Sequence, residues 1–158
     1  MNIFACDESP VEAAISLPDK LIVKMPIESA QLLCTALRVR GIADIGYKNT
    51  HINHPCSKWL LESTGNMQWL WRHGKALCEE YTRRYGRRHA CETVIDNIEP
   101  FITQNSPRTE FRQCMPDQYK GANPIKAYRD YMIAEKSYYA KWKLGNKPDW
   151  WTWQYGQN

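Results

Sequence analysis

An all-α fold is predicted for this chain of 158 residues, a single compact domain (1–158) of five or six helices followed by an aromatic C-terminal tail. Three observations predict it. Apolar residues between Asp19 and Arg40 (Leu21, Ile22, Met25, Leu32, Leu33, Ala36 and Leu37) recur at spacings of three and four, the period of one helix face. Helix-start signals stand at Ser9-Pro10-Val11-Glu12 and at Asn123-Pro124, where Pro occupies a first-turn position that needs no N–H donor. Glycine is sparse, and Gly86 falls where a helix C′ residue belongs.

The elements follow in order. NIFAC reads as a short extended segment, and a first helix follows from the Ser9 cap to about Leu17. Asp19 is placed to cap the long second helix. Pro26 interrupts its pattern, so a kink is expected just ahead of Glu28 unless the helix begins only there. Gly41 to His54 is loop-like. Pro55 opens PCSKWLLEST, and NMQWLWRHGKALCEEYTRRY forms a further helix on Met67, Leu70, Ala76, Leu77 and Tyr81. Another covers Ala90 to Ile98. Phe101 to Ala122 has no sustained period and is long enough to be a functional loop. The last helix begins at Asn123 and packs through Ala127, Tyr131, Ala134, Tyr138 and Trp142.

No apolar run reaches membrane-spanning length, and MNIFACDESP lacks a basic region followed by an apolar one. The six cysteines are scattered singly, which suits reduced thiols in a cytoplasm. No glycine-rich phosphate loop, HExxH or serine nucleophile elbow is present, and no cofactor is implied. His51 and His54 form an HxxH beside Cys56, but no second ligand cluster is visible, so no metal site is assigned and a local capping role is expected.

Three constellations bear on function. Glu28 lies at the edge of the apolar stripe, where lost hydration raises a carboxylate's pKa and suits it to proton transfer; a solvated Glu is the alternative. The net charge is only +4, yet Arg72, Lys75, Arg83, Arg84, Arg87 and Arg88 cluster against Glu79 and Glu80, with His89 adjacent. Such a patch suits phosphates, or else it is a solvated helix end. Finally, Trp150, Trp151, Trp153 and Tyr155 crowd six residues, fit either to stack on a displaced nucleotide or to clasp the helices.

The order of these elements resembles the pyrimidine dimer DNA glycosylases, the endonuclease V type of bacteriophages and some of their hosts. The matching stretches are Asp19 to Glu28, HPCSKWLLES with NMQWLWRHGKALCEEYTRRYG, and Pro148 to Gly156 with its WWTWQYG. The chain also resembles small proteins of tailed phages. The first resemblance implies excision of a base from double-stranded DNA in a host cytoplasm, with Glu28 catalytic, the basic residues on phosphates and the tail beside the damaged base. It further implies a nucleophilic α-amine, which in that family belongs to a Thr exposed by removal of the initiator Met and forms a Schiff base at the sugar C1′. This chain begins Met1-Asn2, and an Asn leaves the Met in place, so the amine is absent or shifted by one residue. Met1 itself, Lys24 or Lys20 can supply a nitrogen, or Glu28 can activate water directly. Two rivals remain: an enzyme acting on a modified base or a free nucleotide, and a non-catalytic phage protein that binds a host factor.

Overall fold

The structure, a computed structural model, describes residues 1–152, so the expectations for Trp153 and Tyr155 lie outside the described residues. Six α-helices appear: α1 (Pro10–Ile15), α2 (Asp19–Val39), α3 (Pro55–Glu62), α4 (Thr64–Tyr85), α5 (Glu92–Ile98) and α6 (Pro124–Lys136). Short 3₁₀ turns follow at Glu99–Phe101 and Asp117–Tyr119.

Local chemistry sets most boundaries. Ser9 Oγ accepts from Glu12 N at 3.2 Å and starts α1, as Asn123 Oδ1 accepts from Lys126 N at 3.1 Å and starts α6. Gly86 closes α4 at φ 69°, a left-handed cap that glycine adopts without a Cβ clash. Several expectations need correction. Asp19 is the first residue of α2 and not its cap; the cap position is Pro18, and the Asp19 carboxylate instead receives Arg84 and the Lys143 amide. NIFAC forms no strand, because Phe4 turns back at φ 55° and inserts its ring into the core. The α2 helix runs unbroken through Pro26, and α6 ends at Lys136 and buries Ala127, Tyr128, Met132 and Ile133, leaving Tyr138 exposed and Trp142 beyond the helix, because the chain turns away before the expected stripe is complete.

The frame is α2 packed antiparallel on α4. Arg84 near the end of α4 meets Asp19 at the start of α2, and Gly74 lies against Ser29 further along. Leu32, Leu33, Leu37, Leu70 and Leu77 are wholly buried between and around these helices. Each such side chain stabilises the fold by about 1.5–3 kcal/mol relative to exposure. Asn66, also wholly buried, donates to Trp59 O and Thr109 Oγ1 and accepts from Thr109 N at 2.7–2.8 Å. Those bonds tie the irregular 102–116 segment to the α3–α4 junction.

His73 sits at the centre of this packing, stacked 5.0 Å from Trp69, with Nδ1 2.9 Å from Pro10 O. A carbonyl accepts, so Nδ1 carries the proton; Nε2 has no hydrogen-bond partner among the described residues. Burial pushes the imidazole down to about 4. The native state therefore holds His73 neutral where the unfolded chain protonates it. Its contribution to stability is complete above about pH 6.5 and is lost as pH falls toward 4, a drop approaching about 3 kcal/mol. Urea unfolding across that interval should show this slope in the parent and a flatter one in His73→Leu, even if that variant starts from a lower plateau. Equal slopes would assign the acid sensitivity to other groups.

Candidate active site

Lys20, Lys24 and Glu28 form a row at i, i+4 and i+8 along α2, flanked by the exposed Val23 and Ile27. The two lysines are exposed, whereas the Glu28 side chain keeps only 12% of its surface open. Glu28 Oε2 accepts from the backbone N–H of Asn2 at 3.0 Å, and Oε1 lies 3.4 Å from Lys24 Nζ. The carboxylate is thus held between the start of the chain and a lysine.

Asn2 fixes that start. Its Oδ1 accepts from the amides of Ile3 and Phe4 at 2.7 and 3.0 Å, which winds the backbone into a tight turn. Its Nδ2 donates to Cys114 O at 2.8 Å. The α-nitrogen of half-buried Met1 is one residue, at most ~3.6 Å of chain, from the amide on Glu28.

Beside the N-terminus lies a group of thiols and an imidazole. Cys56 Sγ and Cys114 Sγ are 3.4 Å apart. Hydrogen bonding with Cys56 pulls the Cys114 thiol down to about 7 against the effect of burial, and Tyr128 reinforces it; the same pairing, with burial, pushes Cys56 upward. His54 caps α3 by accepting from Cys56 N at 3.1 Å, as expected of the HxxH. Burial first, and then the N-terminal charge, hold its imidazole below the usual range.

The basic cluster divides into buried and surface groups. Arg84 is no surface cation: its guanidinium is fully buried, donating to Glu80, Asp19, Leu17 O and Ile15 O at 2.8–2.9 Å. Arg83 forks onto Glu80, Arg88 pairs with Glu92 and Asp96, and Lys75 pairs with Asp96. Arg72 and Arg87 are exposed and make no ion pair among the described residues, Arg87 donating to Tyr81 OH. His89 packs edge-on against Tyr81, with Nε2 3.0 Å from Val23 O, which brings the 86–89 turn against α2.

The described tail divides similarly. Trp151 is core, 1% exposed, with Nε1 donating to Ser137 Oγ and its ring against Trp142, so it has no face open to a base. Trp150 is half-buried under Arg129 and lines an open cavity of about 370 Å³ with Asp7, Glu12 and Arg83. Glu28 does not line that cavity. The structure therefore brings Glu28, Lys24 and the Met1–Asn2 start of the chain together, sets His89 against α2 at Val23 and places Trp150 in a different cavity. Sequence reasoning missed Asn2 as the fastening of the N-terminus, and it missed that Cys114 joins His54 and Cys56. No local pattern announces either, because both depend on contacts between residues 26 or more positions apart.

Fold and site together define a class: small helical proteins in which the first long helix holds a shielded carboxylate against the N-terminal backbone. A family model described as pyrimidine dimer DNA glycosylase matches residues 1–93, more than half of the chain, and the chain belongs to that family. Its function is accordingly of the DNA glycosylase type, in DNA repair, with DNA as the substrate. The matched region includes Asn2, Glu28 and the basic cluster and leaves Cys114 and the tail outside. Neither a curated protein nor a solved structure matches the chain. Among the described residues no helix is long and apolar enough to cross a membrane.

Proposed function

We propose that the chain excises a damaged pyrimidine from double-stranded DNA and opens the sugar through the α-amine of Met1, with Glu28 as the acid–base group. The observation that carries this reading is the bond from Asn2 N to the shielded Glu28 carboxylate, which brings the Met1 α-amine to within one residue of that carboxylate. In the first step the amine lone pair forms a bond to C1′ as the glycosidic C1′–N bond breaks, and the base leaves with that electron pair. The amine must attack unprotonated, and Glu28 stands where it can take the proton that the new C–N bond releases. The nitrogen lone pair then forms the C1′=N bond as the C1′–O4′ bond breaks and O4′ takes up a proton, which Glu28 can return; the resulting protonated Schiff base lets strand cleavage follow by loss of a C2′ proton and departure of the 3′ phosphate.

Lys24 suits the nucleophilic role less well, because it is 64% exposed and faces Glu28 as an ion pair. It belongs instead with Lys20 among the exposed cations that meet phosphate, with Arg72 and Arg87 extending the basic surface along and beyond α4. The test is incubation with duplex DNA carrying a single pyrimidine dimer, reading strand breaks and, after photoreversal of the dimer ring, the base freed from its sugar, because a dimerised pyrimidine stays bonded to its neighbour when its own glycosidic bond is cut. The reading predicts both, with affinity that falls steeply as salt rises and a shallower salt slope in the Arg72→Ala/Arg87→Ala double variant. An unchanged slope would remove those two arginines from the interface; release of base from free nucleotides, but not from duplex, would favour the other enzyme class.

A further inference from the structure

We infer that His54, Cys56 and Cys114 form a binding site for a thiophilic divalent cation of the zinc type. The three side chains come from the residue before α3, the first turn of α3 and the irregular segment ahead of α6, with 58 positions between the two cysteines. Their ligand atoms all lie within 4.8 Å of one another. Two sulfurs and one imidazole make the donor set that Zn²⁺ takes in three-ligand sites, with a fourth position left open. A hard cation such as Mg²⁺ or Ca²⁺ prefers oxygen ligands and has no claim on this one.

The donors are held in place before any ion arrives. Cys56 is almost fully buried on a rigid helix turn. Cys114 is fixed from both sides, its N–H donating to Tyr128 OH and its carbonyl accepting from Asn2 Nδ2. His54 Nδ1 accepts from Cys56 N, and turning that lone pair to the ion exchanges one neutral cap bond for a metal bond. On binding, Zn²⁺ replaces the two thiol protons, which leave to solvent, so no oxidant or reductant takes part. The ion would clasp α3 to the segment whose Cys114 carbonyl anchors Asn2, and through Asn2 it would steady the N-terminus on Glu28. The site itself stands whether or not the excision chemistry does.

The test uses the full chain, reduced with a phosphine, stripped with chelator and titrated with Co²⁺ and then Zn²⁺ without oxygen. The inference predicts one Co²⁺ per chain, intense thiolate-to-cobalt charge-transfer bands, displacement by Zn²⁺, and a thermal midpoint that rises with Zn²⁺ and falls back with chelator. Cys114→Ala should abolish the bands while keeping a helical circular dichroism spectrum, and His54→Ala should alter the ligand-field bands. If Cys56→Ala or Cys114→Ala fails to fold, the band intensity of the parent decides, since two thiolates absorb about twice as strongly as one. No bands in the parent, or parental bands in folded Cys114→Ala, would overturn it.

Discussion

Replacing Glu28 by Gln should lower base excision on the order of 10²–10⁴-fold, the usual contribution of a positioned acid–base group, while DNA affinity stays near that of the parent. The substitution is close to isosteric. The Gln carbonyl can still accept from Asn2 N, so the turn that fastens the N-terminus should persist. What disappears is the negative charge and the capacity to take a proton from a nucleophilic amine. Single-turnover cleavage of dimer-containing duplex measures the chemical step, and a binding isotherm measures affinity separately. Loss of affinity matching the loss of rate would make Glu28 a packing residue of the DNA interface.

Replacing Arg84 by Met should cost about 3–5 kcal/mol of stability, because removing one partner strands a buried opposite charge. Glu80 is 3% exposed and shares its carboxylate among Arg84, Arg83 and Asn146. Although burial raises a carboxyl pKa, the Arg83 and Arg84 guanidiniums hold Glu80 below the usual range. With Arg84 gone, Glu80 depends on exposed Arg83, and the carbonyls of Ile15 and Leu17 lose their donor. Total stability of a domain is only about 5–15 kcal/mol, so a loss of this size takes a large share of it and should move the unfolding midpoint far toward low urea. Arg84→Lys should not rescue it, since an ammonium cannot reproduce the planar fork. Urea unfolding is the measurement. A stable Arg84→Met with weakened DNA binding would return Arg84 to the phosphate-contacting set.

Arg84 also shows where the sequence was legible. Periodicity and caps located α1, α2, α4 and α6 because the Ser9 and Asn123 caps, the Gly86 terminus and the apolar stripe of α2 are written within a turn or two. The same periodicity held a warning about Arg84. Leu70, Leu77, Tyr81 and Arg84 fall seven, four and three apart on the inward face of α4, so one arginine of the run was bound to point into the core. Composition alone cannot tell it from Arg87. Trp151 carries no such signal: its burial depends on where the chain after α6 folds back, and that was set by Trp142 and Ser137. Of the site, Glu28 was legible from its place at the stripe's edge. The turn that brings Asn2 to it was not, because it rests on a side-chain oxygen capping two amides and on a left-handed Phe4.

The most direct measurement of the amine–carboxylate pair is covalent capture. Sodium borohydride added during turnover on dimer-containing duplex reduces a Schiff base to a stable amine, and peptide mapping then locates the attached sugar. The pairing of Met1 with Glu28 predicts a trapped adduct on the Met1 α-nitrogen, present in the parent and in Lys24→Ala and missing in Glu28→Gln. An adduct on Lys24 or Lys20, or glycosidic cleavage with nothing trapped, would contradict it.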